Sequence, residues 1–145
     1  MTDNELMDQL KKIVAELNTQ GKMIFLEGVS EEQINVYENR HNILLPQKYK
    51  AWLRYTDGGE CFLPAGVQFY GVAHKPLLNP DDDDKPNDSY TVIGALASGD
   101  PILCEKNSER ISIYNHEVGR IEVDEIYPDF FEFLIDLHNI LGIGD

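Results

Sequence analysis

Four consecutive carboxylates, Asp81 to Asp84, are the densest chemistry in this 145-residue chain, and Asp88 follows across Lys85-Pro86-Asn87. A calcium loop alternates its ligands with spacers and turns sharply, usually at glycine. This run does neither, and adjacent carboxylates in an extended loop point in different directions, so no metal is expected. Two readings remain: a solvated loop, or an electrostatic contact for a basic partner. Density gives the second its weight. The Debye length is about 8 Å at physiological salt, and four adjacent acids lie within or near that distance. Residence on a partner would also need an apolar or aromatic anchor near the loop, and Tyr70 and Tyr90 are the candidates.

His116-Glu117, with Asp124 nearby in sequence, is the pair that most resembles a catalytic one. A histidine beside acids can serve as a general base. No nucleophile motif accompanies it, because the chain lacks a Gly-x-Ser-x-Gly elbow and neither Cys61 nor Cys104 has a recognisable catalytic neighbourhood. His116 therefore reads as a turn-stabilising residue. His41, His74 and His138 are dispersed, without metal-ligand spacing. Ser98-Gly99-Asp100-Pro101 lacks the further glycines and the lysine of a phosphate loop. A tight turn explains it, with Asp100 bonding nearby backbone N–H groups. The two cysteines have no CxxC spacing and read as reduced, buried thiols of a cytosolic protein, with no structural zinc. No enzyme activity and no cofactor are expected.

Charge narrows the partners further. The net charge is −14 and the pI about 4.5. Nucleic-acid phosphates and anionic membrane surfaces would both repel such a chain. No apolar run approaches a membrane span, and the N-terminus shows no basic start leading into an apolar segment, so a cytoplasmic protein is expected. Average charge does not make a recognition site. Folded surface at this mass is about 7,500 Å², or roughly one net charge per 540 Å². A partner footprint of about 800 Å² would meet only one or two, so clustering must supply any specificity. Spread acidity keeps a domain soluble, consistent with a monomer or weak homodimer.

These side chains need a frame, and the stretch from Gly28 to Glu60 organises it. Ser30 followed by Gln33 is a capping box opening a helix with Ile34 and Tyr37 inward and Glu38 at the edge of the stripe. Ile43-Leu44-Leu45 then runs into Pro46, which ends one helix and suits the first turn of the next. The second helix carries Tyr49, Trp52 and Leu53 on one stripe, most simply as core, and Asp57-Gly58-Gly59 stops it. Glu38 has a structural use: its carboxylate can pin the break by accepting hydrogen bonds.

Before this unit, Asn4 to about Gln20 reads as an amphipathic helix and Met23 to Leu26 as an extended run. After it come six strand candidates: 61–63, 67–72, 90–93, 102–105, 111–114 and 120–123. Pro64-Ala65-Gly66 is a plausible hairpin connection between the first two, and residues 75–89, rich in proline and acid, form an exposed loop. Short connectors imply an antiparallel meander. Pro128 opens a last helix to about Leu141, apolar on more than one side and so expected to pack on the sheet. The fold class is α+β: N-terminal helices, an antiparallel meander of about four to six strands, and a C-terminal helix packed on the sheet, all in one domain, 1–145.

Glu38, Leu45-Pro46, Tyr49, Leu53 and Gly58-Gly59, with Tyr70-Gly71, Ile93-Gly94, Gly99-Asp100, Tyr114-x-His116-Glu117 and an aromatic-rich final helix, resemble the Smi/Knr-type family of the SUKH superfamily. One departure is Asp57, where such proteins often carry asparagine. The resemblance implies that His116 falls at the end of a strand. It also implies, for a bacterial member, immunity to a polymorphic toxin, many of which are nucleases. The partner would then be a cognate toxin with a basic surface, met by Asp81 to Asp84, Asp88 and Tyr90. Two rival classes stay open. A scaffold or regulatory interaction domain, as eukaryotic relatives are, would be favoured by an exposed last helix. An enzyme or small-molecule binder would need a cleft where His116, Glu117 and other polar groups converge.

Overall fold

The computed structural model describes residues 2–64 and 66–142. Helix α1 (Asp3–Gln20) opens on a capping box between Thr2 and Glu5 and buries Leu6, Leu10, Ile13, Val14 and Leu17. Helix α2 (Glu31–His41) opens the same way. Ser30 Oγ accepts from Gln33 N at 3.1 Å, and Gln33 Oε1 accepts from Ser30 N at 2.9 Å. It ends at Asn42 in the left-handed region (φ 53°), which asparagine tolerates. The break that follows buries Leu45 and leaves Leu44 69% exposed.

Helix α3 (Gln47–Tyr55) begins after Pro46, whose side chain supplies no cap. The cap comes from far along the chain. Glu109 accepts from Gln47 N at 2.8 Å and from Lys48 N at 3.1 Å. This satisfies two donors that the first turn of a helix leaves open. Helix α3 buries Tyr49, Ala51, Trp52 and Leu53. Gly58 and Gly59 then turn the chain at φ 102° and 87°. A Cβ at Gly58 would sit 2.8 Å from the Phe69 carbonyl oxygen, so only glycine fits there.

Seven strands follow the order of the sequence in one antiparallel sheet: β1 (Met23–Ile24), β2 (Glu60–Cys61), β3 (Val67–Phe69), β4 (Tyr90–Leu96), β5 (Pro101–Glu105), β6 (Ile111–Asn115) and β7 (Arg120–Tyr127). This is the expected meander with one strand above the expected range, because the two-residue strand β1 joins it by pairing Met23 with Cys61. Strand β2 stops at Cys61 because Phe62 takes φ 59°, and β3 stops at Phe69 rather than Val72. Of the Pro64-Ala65-Gly66 connection, Ala65 lies outside the described residues.

Edge strand β7 pairs with β6 at both ends, Ile121 with Tyr114 and Ile126 with Ser112. Glu122, Val123, Asp124 and Glu125 bulge between those pairs. Acids and a bulge on an edge discourage pairing with another sheet.

The C-terminal segment packs on the sheet, but as two short helices, α4 (Phe130–Ile135) and α5 (Leu137–Ile140), rather than one. Asp129, not Pro128, caps α4, accepting from Glu132 N at 2.9 Å. The chain bends at Asp136 (φ −91°, ψ 1°), whose carboxylate accepts from the Tyr127 hydroxyl at 2.8 Å. Phe130, Phe131, Phe133, Leu134 and Leu137 are buried, and Ile135 is half-exposed. Phe130 meets Tyr49, Trp52 and Phe69 edge-on, with centroids 4.9, 5.7 and 5.3 Å apart. Edge-to-face packing at these distances suits the ring quadrupoles.

Candidate functional site

The acidic loop rises from a tightly built neck. Gly71 N donates to Pro76 O at 3.0 Å, and Leu78 N donates back to Gly71 O at 2.8 Å. Tyr37 on α2 donates its hydroxyl to Leu78 O. Beneath the neck lies Asp57, fully buried. Its Oδ1 accepts from Val72 N at 2.7 Å, and its Oδ2 accepts from Ala73 N at 2.8 Å and His74 N at 2.6 Å. The His74 ring Nδ1 adds a contact at 2.9 Å. A buried carboxylate is tolerable only when its lone pairs are filled in this way. Asp57 is therefore an anchor for residues 72–74, a role beyond the helix stop expected from Asp57-Gly58-Gly59. Thr56 occupies the C-cap of α3.

Beyond the neck the chain runs through turns closed by its own side chains. Asp81 N donates to Asn79 Oδ1, Asp84 N to Asp82 Oδ1, and Ser89 N to Asn87 Oδ1, at 3.0, 3.0 and 2.8 Å. Asp81, Asp83, Asp84 and Asp88 are exposed and Asp82 is half-buried. Lys85 points its ammonium at Pro80 O, 3.1 Å away. The loop returns to the sheet where Lys106 N donates to Ser89 O at 2.8 Å. Among the described residues no group of three or more His, Cys, Asp or Glu side chains is placed to hold a metal ion.

Tyr70 lies beside this loop. Burial raises its phenol pKa, and the charges of Asp82 and Asp84 raise it further, so the hydroxyl stays neutral. Its own carbonyl accepts from the buried Tyr49 hydroxyl at 2.5 Å, and Ile93 O shares that donor at 3.2 Å. Tyr90 is half-buried at the far end of the loop, where it opens β4 opposite Glu105. The charges of Asp82 and Asp84 thus act on Tyr70, while Tyr90 belongs to the sheet margin.

The second cluster is of a different kind. His116 sits at an exposed turn, where Asp100 Oδ1 accepts from its backbone N–H at 3.2 Å and pairs with its ring Nδ1. Gly99, at φ 95°, lies against the same ring. Glu117 N donates to Asn115 Oδ1 at 3.1 Å, closing the turn locally. Asp124 belongs to the β7 bulge, where burial and then the charges of Asp124, Asp100 and Glu122 raise the Glu125 carboxyl pKa. Cys61 and Cys104 are buried, and burial pushes both thiols up to about 12. Thiols so protonated at neutral pH are inert as nucleophiles.

Glu38 is buried rather than at the edge of its helical stripe. Its Oε2 accepts from Leu45 N at 2.7 Å and lies 3.5 Å from Lys50 Nζ, tying the end of α2 to the Leu45-Pro46 break. Asp57, Lys50 and Glu109 are structural contributors that sequence reasoning missed. Only Asp57 left a sequence signal, its departure from asparagine before the two glycines.

No helix among the described residues is long and apolar enough to cross a membrane. No curated protein matches the chain. A family model does match, that of the SMI1 / KNR4 family (SUKH-1), over residues 28–136. The match starts at the glycine before α2 and ends at the Asp136 bend. It takes in the helix pair, the acidic loop, strands β2 to β7 and α4. On that span, the chain belongs to the SMI1 / KNR4 family (SUKH-1).

Proposed function

We propose that this protein is an immunity protein that neutralises a cognate polymorphic toxin in interbacterial competition by binding it. The observation that carries this reading is the Asp81–Asp84 run, exposed at all but the half-buried Asp82, mounted on a fixed neck in a chain of this family. A nuclease must present a basic surface to phosphates, and that surface is what an acidic loop can occupy. Steering between opposite charges supports on-rates up to roughly 10⁸–10⁹ M⁻¹s⁻¹ at low salt. The protein would act in the cytoplasm, without a cofactor and without catalysis of its own. The pairing of His116 with Asp100 at an exposed turn supports a structural use of that histidine.

The scaffold reading leaned on an exposed last helix. With Phe130, Phe131, Phe133, Leu134 and Leu137 buried, that support is gone. The test is to recover the partner by pull-down from the native host, co-express any toxin so identified, and measure binding kinetics. Wild-type protein should rescue growth. Changing Asp81, Asp82, Asp83 and Asp84 together to asparagine should slow association about tenfold at low salt and flatten its salt dependence. An unchanged on-rate would remove the loop from the contact.

A further inference from the structure

Against the neck of the acidic loop, α2 and residues 72–73 form a groove of about 340 Å³. Val36, Tyr37, Val72 and Ala73 give it apolar surface, and Glu32 and Arg40 stand at its rim. The core does not account for this surface. Val36 is 50% exposed on a helix whose other outward residues are polar, and Leu77 of the same neck is 47% exposed. A single exposed valine would need no explanation, but Val36, Tyr37, Val72 and Ala73 gather their apolar surface in one groove, which is the form a binding surface takes.

Three features point to what the occupant is. The groove is pre-formed: Asp57 fixes the N–H groups of Val72 and Ala73, and the Tyr37 hydroxyl is fixed on Leu78 O. A seat already ordered costs little to fill. It stands at the base of the acidic loop, because Tyr37 of its lining donates its hydroxyl to Leu78 O, three residues before Asp81. The charge beside it is negative, since residues 75–89 hold five aspartates against two lysines, and Lys85 is turned onto a carbonyl.

We infer that the groove seats one large apolar or aromatic side chain of a basic protein segment whose Lys and Arg residues contact Asp81 to Asp84. The choice of a basic protein rests on the toxin reading above. The two parts divide the work: the acids set the rate of encounter, and the seated side chain sets the residence time. A second copy of this chain fits poorly, because it would bring two bodies of charge −14 together at their acidic loops.

The test uses defined peptides as well as the toxin. The full chain, labelled with ¹⁵N, is titrated with Ac-Lys-Lys-Trp-Lys-Lys-NH₂ and with the same peptide carrying glycine in place of tryptophan. Both peptides should shift the amides of residues 81–84. Only the tryptophan peptide should shift those of Val36, Tyr37, Val72 and Ala73, and Val36→Gln should abolish that second set alone. Identical shifts with both peptides, or silent groove amides, would overturn the inference. So would groove amides that move with protein concentration in the absence of peptide, which would make a second copy the occupant.

With the toxin, Val36→Gln should raise the off-rate at least tenfold while the on-rate stays within twofold. An unchanged off-rate rejects the groove. Should wild-type protein fail to bind or rescue from the toxin, the toxin reading falls by itself, and the peptide titrations still decide whether the groove takes an apolar anchor.

Discussion

The aromatic seam around α3 and the acidic loop beside α2 are both held by hydrogen bonds, but of different reach. In the seam, Trp52 packs edge-on against Phe25, Phe69 and Phe130, and its Nε1 donates to Gly58 O at 2.8 Å. Tyr49, equally buried, donates to carbonyls 21 and 44 residues away. In the loop, side-chain bonds span two to five residues and leave most of the carboxylates in water. Long-range burial resists change, whereas local turns do not specify what the exposed groups do. On the proposed function, stability and recognition can therefore vary independently, and Asp57 is the joint between the two regions.

Trp52→Ala should cost the most, about 3–5 kcal/mol in urea denaturation, since it empties a fully buried site. A loss under about 1 kcal/mol would mean that the seam is not the centre of the core. Asp57→Asn comes next, at about 1–3 kcal/mol, because an NH₂ would face backbone donors that now meet oxygen. Hydrogen exchange should then speed at Val72, Ala73 and His74 while the seam stays protected. If the seam loosened equally, the two regions would be one cooperative unit.

Alkaline pH should weaken the fold, with the buried thiols giving way first, because their ordinary range lies below that of the phenols of Tyr37, Tyr49, Tyr70 and Tyr127, which burial also raises. Both thiols are raised from 9.0 to about 12 in the folded chain, so the folded state holds their protons longer than the unfolded one. Stability is thus fully present below pH 9 and falls as pH rises toward 12. At pH 10 each thiol should cost on the order of 1 kcal/mol, and Cys61→Ala should remove one such share. A flat profile between pH 8 and pH 10 would refute dry thiols. Smallest is the effect on stability of changing the four aspartates to asparagine, within about 0.5 kcal/mol. A loss as large as that of Asp57→Asn would make the loop structural and erase the contrast.

What could be seen in the sequence follows the same division by range. The Ser30–Gln33 box, the Pro46 break and the buried stripe of α3 depend on residues within a turn or two, and each was legible. The meander was legible from connector length. Strand β1 was not legible as part of the sheet, because two residues carry no periodicity and its partner lies 38 positions away at Cys61. Nor was the division of the last helix, where the Tyr127 hydroxyl holds Asp136 at a bend. For the candidate site, the acidic run and the nearness of Tyr70 could be proposed from composition. The groove could not, because it joins α2 to a segment 36 residues later through a carboxylate that local rules assign to a turn.

The Glu109 cap on α3 bears on how the chain reaches this fold. The carboxylate that closes the first turn of α3 lies 62 residues beyond Gln47. A peptide cut from residues 28–60 would carry the family's most recognisable stretch yet lack the group that completes its second helix. During synthesis α3 would likewise wait for the β5–β6 hairpin before its first turn was sealed. Completion of the helix pair is thereby tied to formation of the β5–β6 hairpin, a contact that must close over 62 residues of chain.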